Sequence, residues 1–182
     1  MGQERIKKLG LEGQIHIDLM DYRDLPKKGL KYDRLVSVGM LEHVGRSQYE
    51  RYMSIANQIL KPGGLFLLHY IDGRDEKNSN PWMRKYIFPG GTLPTVYEIL
   101  KLAYDGDFQI LDVESLRRHY YRTLSCWYHN FQKVRDQVAA DKGMEFVRMW
   151  DLYVAFYIGY IDVHQLLFTK GTNNDLPMTR WY

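Results

Sequence analysis

Residues 49–71 constrain the fold more tightly than any other stretch. Tyr49, Tyr52, Met53, Ala56, Ile59 and Leu60 recur at helical spacing and share one face. Lys61-Pro62-Gly63-Gly64 then stops that helix, because proline cannot continue the hydrogen-bond ladder and glycine favours a turn. GLFLLHYI, residues 64–71, follows as an apolar run that reads as a strand. A second run, YDRLVSVGM at 32–40, precedes the helix. Strand, helix and strand in that order call for a parallel pair with a crossover helix.

The rest of the chain continues the pattern. ERIKKLGLEGQ reads as the last turns of a helix closed at Gly10. QIHIDLMDY, 14–22, alternates Ile15, Ile17 and Leu19 with polar residues and predicts a strand. Ser47 with Glu50, and Thr95 with Glu98, have the spacing of capping boxes, the second opening a helix to about Ala103. FQILDV, 108–113, is a further strand. Two helices over 118–141 and 144–160 follow, and VHQLLFTKG, 163–171, closes the chain as an antiparallel strand. Residues 72–94 form a long polar loop and 172–182 a polar tail. The expected fold is α/β, with a mostly parallel sheet, in one domain over 1–171.

Composition narrows function mainly by exclusion. No apolar run reaches the roughly 18 residues a membrane helix needs, and MGQERIKKLG does not read as a signal peptide. The single Cys126 excludes an intrachain disulfide and suits a reducing cytosol. A net charge of +3 permits an anionic surface as partner without demanding one, and no nucleic acid is expected. The sequence offers no cysteine–histidine metal spacing, no nucleophile elbow and no phosphate-binding loop.

Open α/β sheets bind ligands beyond the carboxyl ends of their strands. The first strand delivers Asp21 and Tyr22 there, the second Glu42 and His43, and the third His69, Tyr70, Ile71 and Asp72. By position alone Glu42 is either a solvated or capping carboxylate or a functional one. His69 is either a satisfied core residue or a site residue, and Tyr120 and Tyr121 are core aromatics by default. His43 reads as support.

Five segments in order carry a resemblance: SVGMLEHVG, LKPGGLFLLHYI, PWMRKYIFPGGTLPTVYEI, RRHYYRTLSCWYHNF and GYIDVHQLLFTKG. Together they closely resemble cyclopropane-fatty-acyl-phospholipid synthases and their mycolic acid cyclopropane synthase relatives, over about residues 4–171. The resemblance implies transfer of the methyl of S-adenosylmethionine to the double bond of an unsaturated phospholipid acyl chain. A carbocation results, and a bound bicarbonate then removes a proton so that the ring closes. It implies Glu42, His69 and Tyr120 as catalytic residues, these three and the Ile71 main chain as the bicarbonate site, and Asp21 and Tyr22 beside the adenine. Phe146, Trp150, Tyr153, Phe156, Tyr157 and Tyr160 are core residues first, some of which would line an acyl-chain tunnel. Arg74, Lys77, Arg84, Lys85, Arg117, Arg118 and Arg122 would meet a membrane surface, making a cytoplasmic, peripheral protein.

The resemblance also implies an incomplete Rossmann-like S-adenosylmethionine-dependent methyltransferase fold. The family order is 3-2-1-4-5-7-6, with residues 14–20 as strand 3, residues 33–40 as strand 4, and strands 1 and 2 absent. No Gly-x-Gly follows any strand, and Cys126, inside a helix, does not match the family's bicarbonate-site cysteine. The expectation is a C-terminal catalytic portion with little turnover alone. Its exposed strand would either pair residues 14–20 onto 33–40 or form a homodimer or strand-swapped assembly. Two other functions stay open: a lipid or small-molecule methyltransferase without ring closure, and a non-catalytic partner binding lipid or a full-length enzyme.

Overall fold

A computed structural model describes residues 1–73, 81–157 and 161–179. Arg74, Lys77 and Tyr160, named above, lie outside these residues, as do the side chains of Phe156 and Tyr157. Four strands, β1 (Tyr32–Val38), β2 (Leu60–Asp72), β3 (Phe108–Ser115) and β4 (Asp162–Lys170), form one sheet in the order β1-β2-β4-β3. β1 runs parallel to β2, while β4 runs antiparallel to both β2 and β3. The parallel sheet with an antiparallel last strand is therefore formed.

The helices are α1 (Gly2–Lys8), α2 (Leu41–Val44), α3 (Tyr49–Ile59), α4 (Pro81–Tyr86), α5 (Val96–Asp105), α6 (Arg117–Lys142) and α7 (Met144–Tyr157). The apolar face of α3 and Ile99 and Ala103 of α5 pack on the sheet side carrying Phe66, Leu68 and Tyr70. Phe66, Phe108 and Phe168 meet there from three strands with ring centroids 5.7–5.9 Å apart. Burying each such ring stabilises the fold by about 1.5–3 kcal/mol. A smaller cluster of Leu124, Tyr153, Val154, Met83 and Ile161 lies under α6 and α7, with Ile71, Tyr120 and Trp150 at its margin.

The first residues of β2 tolerate only glycine at 64: a Cβ there would stand 2.8 Å from the Lys61 carbonyl oxygen and 3.2 Å from that of Asp33. The Thr95 capping box is formed, with Glu98 N–H donating to Thr95 Oγ1 at 3.1 Å and Thr95 N–H to Glu98 Oε2 at 2.8 Å. The Ser47 box is not. A 3-10 turn over Arg46–Gln48 takes up Ser47, and α3 starts after Gln48 without a side-chain cap. An N-cap needs extended backbone, which a residue inside a helical turn does not have.

The strand expected at 14–22 is also absent. Residues 15–21 have no ladder partner, and Ile15, Ile17 and Leu19 are exposed. Alternation creates an apolar face, but a strand exists only through neighbouring strand backbone, and among the described residues no strand pairs with it. The pairing of residues 14–20 onto β1 is thereby overturned. β1 has β2 on one side and, among the described residues, no strand on the other. Val36 and Val38 are 61% and 65% exposed.

Candidate functional site

β1 ends at Gly39, whose φ of +62° turns the chain and whose N–H donates to the His69 carbonyl at 2.9 Å. One further residue leads into α2, a single turn that carries Glu42 inward instead of toward solvent. Glu42 is 7% exposed. Its Oε1 accepts from the Ile71 N–H at 2.7 Å. Its Oε2 is buried and, among the described residues, has no hydrogen-bond partner. A buried carboxylate oxygen left unpaired costs free energy, and such groups concentrate where something else is to be bound.

The segment after α4 closes over this turn. Thr92 N–H donates to the Glu42 carbonyl at 3.2 Å, and Tyr49 Oη donates to the Thr92 carbonyl at 3.4 Å. Arg46 Nη2 donates to the Leu93 carbonyl at 3.3 Å, and its Nε stands 2.7 Å from Glu98 Oε1 as an ion pair off the line of a hydrogen bond. Nothing in the sequence singled out Arg46. Its spacing three residues after His43 carries no motif, and its partner is fixed only by the Thr95 cap.

His69 lies two residues before Ile71 on β2, level with Val38 and Gln165 in the neighbouring strands. Strand alternation puts it on the side of Ile71 and opposite Tyr70, and it is half-buried. Tyr120 is in the first turn of α6, packed at the margin of the cluster that also holds Ile71. Burial pushes its hydroxyl pKa up; a hydrogen bond with Tyr153 opposes this, and the Glu42 charge adds to the rise. Glu42, Ile71 and Tyr120 are thus brought to one place at the carboxyl edge, with His69 on the adjoining strand position. The Ile71 N–H is occupied by Glu42.

Tyr153 is the residue that sequence left among core aromatics. It meets Trp150 at 5.2 Å and Phe88 edge-on at 6.1 Å. Trp150 stacks on Phe146 at 6.4 Å, and both line an open apolar groove between α6 and α7 with Trp127, Phe131 and Val134. Cys126 is exposed on α6.

Asp21 and Tyr22 fall elsewhere. Asp21 caps the 3-10 turn Tyr22–Lys28 and is held by Arg23, whose hydrogen bonds bring its carboxyl down to about 2. Tyr22 packs edge-on against Tyr52 at 5.6 Å and lines an apolar cleft of about 240 Å3 beside the open edge of β1, with Leu25, Val38, Met40 and Ile55. Arg117, Arg118 and Arg122 are exposed on the first turns of α6, and Arg84 and Lys85 on α4. Among the described residues no helix is long and apolar enough to cross a membrane.

A probable fatty acid methyltransferase of Pseudomonas putida is 35% identical over 99% of this chain and 49% of its own length. A cyclopropane-fatty-acyl-phospholipid synthase of Escherichia coli is 37% identical over 99% of this chain and 47% of its own. The chain therefore spans about half the length of the curated relatives it matches. The mycolic acid cyclopropane synthase CmaA1, solved in complex with SAH and CTAB, superposes with a TM-score of 0.74 at 27% identity, covering 92% of this chain and 66% of that one. Its class is that of Rossmann-like S-adenosylmethionine-dependent methyltransferases. The model of the mycolic acid cyclopropane synthetase family matches residues 1–166, and the chain belongs to that family.

Proposed function

We propose that this chain is the catalytic portion of a cyclopropane fatty acid synthase acting on the double bond of unsaturated phospholipid acyl chains. The observation that carries the reading is Glu42: buried, held at one oxygen by the Ile71 amide, and unpaired at the other beside Tyr120.

S-adenosylmethionine, when bound, supplies an electrophilic methyl group. The Tyr22 cleft fits one end of it, since an aromatic ring and apolar walls accept a planar base. The Asp21–Arg23 pair is exposed at the surface, so little is lost if Asp21 exchanges that partner for a hydroxyl of the ligand.

Bicarbonate fits the Glu42 corner because it is both anion and donor. Glu42 Oε2 would accept its O–H, and the Tyr120 hydroxyl and the His69 imidazole would donate to the remaining oxygens. Without a shared proton the two anions would repel. Tyr120 is suited to donate, since its raised pKa keeps the phenol protonated. A base for a highly acidic carbocation proton needs reach more than strength. Tyr153 holds Tyr120 by a hydrogen bond and packs against Trp150.

The open β1 edge fits pairing with a further strand, in a homodimer or with a segment beyond this chain, and the exposed arginines of α6 fit peripheral contact with anionic headgroups. A second reading, methylation without ring closure, is favoured by the Pseudomonas putida relative. The test is the polypeptide as encoded, including any in-frame upstream segment, incubated with S-adenosylmethionine, bicarbonate and vesicles of cis-unsaturated phospholipid. Upfield cyclopropane protons in the product support the proposal; a methyl-branched or vinyl-methyl product supports the second reading; no lipid product refutes both. This chain alone should give little turnover.

A further inference from the structure

The carboxyl edge of the sheet holds a second polar cluster, on the opposite side of β2 from His69 and Ile71. Asp72 ends β2, Asp162 and His164 open β4, and the ladder sets Asp72 opposite Asp162 and Tyr70 opposite His164. One ligand atom from each of Asp72, Asp162 and His164 lies within 4.8 Å of the others. The Asp72 side chain is 10% exposed and that of His164 13%. His164 Nδ1 and Asp72 Oδ1 stand 3.2 Å apart but out of alignment; both atoms are buried and, among the described residues, neither has a hydrogen-bond partner. His164 Nε2 is 3.9 Å from Asp162 Oδ2.

Asp162 itself is oriented by its surroundings. Ser115 Oγ, at the end of β3, donates to both its oxygens at 2.9 and 2.8 Å, and the Val163 N–H donates to Oδ1 at 2.7 Å. Tyr70 lies on the same side of β2 as Asp72, and burial together with the Asp72 charge keeps its hydroxyl protonated. Two carboxylates at a nearly buried strand end therefore face one imidazole and the Ser115 hydroxyl. A protonated His164 would cancel only one of the two charges and leaves Nδ1 misaligned.

We propose that Asp72, Asp162 and His164 form a binding site for one divalent transition cation, of the class of Zn2+, Co2+ or Mn2+. Two carboxylates and an imidazole suit these ions better than Mg2+, which prefers water and oxygen ligands in strict octahedral geometry. The ligands converge within ordinary side-chain rotation of the 2.0–2.2 Å bond lengths such ions take. Ser115 acts behind Asp162, orienting the carboxylate as outer-shell partners do. The ion ties the end of β2 to the start of β4, one residue beyond the Ile71 amide that holds Glu42. It requires nothing of the proposed reaction.

The test uses the untagged chain, metal-free after chelation, titrated with Co2+ and read by its visible absorption. One equivalent is expected to bind, to be displaced by Zn2+, and to weaken by at least about 10-fold in Asp72→Asn and in His164→Gln. His129→Gln, at an exposed histidine on α6, serves as the control and should leave binding unchanged. Zn2+ at about 100 times its Kd should raise the melting temperature of the unsubstituted chain by roughly 5–10 °C. Should a variant fail to fold, Mn2+ line broadening in the unsubstituted chain decides: it must centre on the amides of Asp72, Ser115 and 162–164. No saturable binding below about 1 mM, binding unaltered in both folded variants, or broadening centred elsewhere overturns the site.

Discussion

Substituting Glu42 separates a functional carboxylate from a structural one, because its two oxygens have different surroundings. Alanine removes the acceptor of the Ile71 N–H. A hydrogen bond to a charged acceptor contributes about 1.5–3 kcal/mol, and an orphaned buried N–H alone costs about 1–3 kcal/mol, two descriptions of largely the same loss. The vacated methylene adds about 0.8 kcal/mol. Glu42→Ala should therefore destabilise by roughly 2–4 kcal/mol. Glutamine keeps the shape and an acceptor for Ile71, and it replaces a charged, unpaired oxygen by a neutral group. An unpaired amide costs less in a buried corner than an unpaired carboxylate oxygen, so Glu42→Gln should lie within about 1 kcal/mol of the unsubstituted chain or be more stable. Urea unfolding followed by fluorescence of the four tryptophans and by circular dichroism measures both. If Glu42→Gln loses as much as Glu42→Ala, both oxygens serve the fold, and the assignment of Oε2 to a bound anion fails.

Val38→Lys, at a 65% exposed position on the open edge, should leave folding intact and convert any dimer to monomer by light scattering; an unsubstituted chain that is already monomeric at high concentration refutes self-pairing at β1. Tyr22→Ala should weaken S-adenosylmethionine binding by calorimetry while Tyr22→Phe retains it, and equal affinity in both would remove Tyr22 from the cofactor site. Thr95→Ala removes the hydroxyl half of a capping box, keeps the Thr95 N–H bond to Glu98, and should cost about 0.5–2 kcal/mol, or roughly 2–4 °C per kcal/mol in melting temperature. His164 gives a pH prediction. Burial pulls its pKa down, but the Asp72 carboxylate and the Asp162 charge outweigh that, so the folded value is raised above 6.5. A raised folded value stabilises fully below the unfolded pKa and is lost as pH rises through the folded one. Urea midpoints with chelator present should therefore fall as pH rises above about 6.5, and fall less in His164→Gln.

The sheet was legible because apolar runs and turn signals are local. The strands over 32–40, 64–71, 108–113 and 163–171, the two long helices and the Thr95 cap all formed close to their expected bounds. Residues 14–22 failed for a reason local pattern does not encode: Ile15, Ile17 and Leu19 define a face, but among the described residues no strand pairs with them to complete a ladder. Ser47 failed because the same spacing serves a 3-10 turn when Gly45, with φ of +84°, redirects the chain just before it. The Glu42 corner was legible as residue types at strand ends. Its geometry was not, since the pairing of Oε1 with Ile71 depends on β1 and β2 being neighbours in register. Tyr153 and Arg46 act on the site from 33 residues beyond Tyr120 and from a turn with no motif, distances at which sequence spacing carries no signal.

The same register sets how firmly the corner is held. Glu42 reaches Ile71 because Val38 sits opposite His69 and Gly39 bonds the His69 carbonyl, so the α2 turn is suspended from the last pair of a parallel ladder. That ladder is supported on one side only, and an edge strand opens more readily than a central one. A strand added at β1 would therefore stiffen the turn that positions Glu42 and, by covering Val38, close one wall of the Tyr22 cleft in the same step. On this geometry the proposed anion corner and the proposed cofactor cleft depend on one free edge: the corner hangs from the end of β1, and the cleft opens along its side. Whatever pairs with β1 would then bear on both at once.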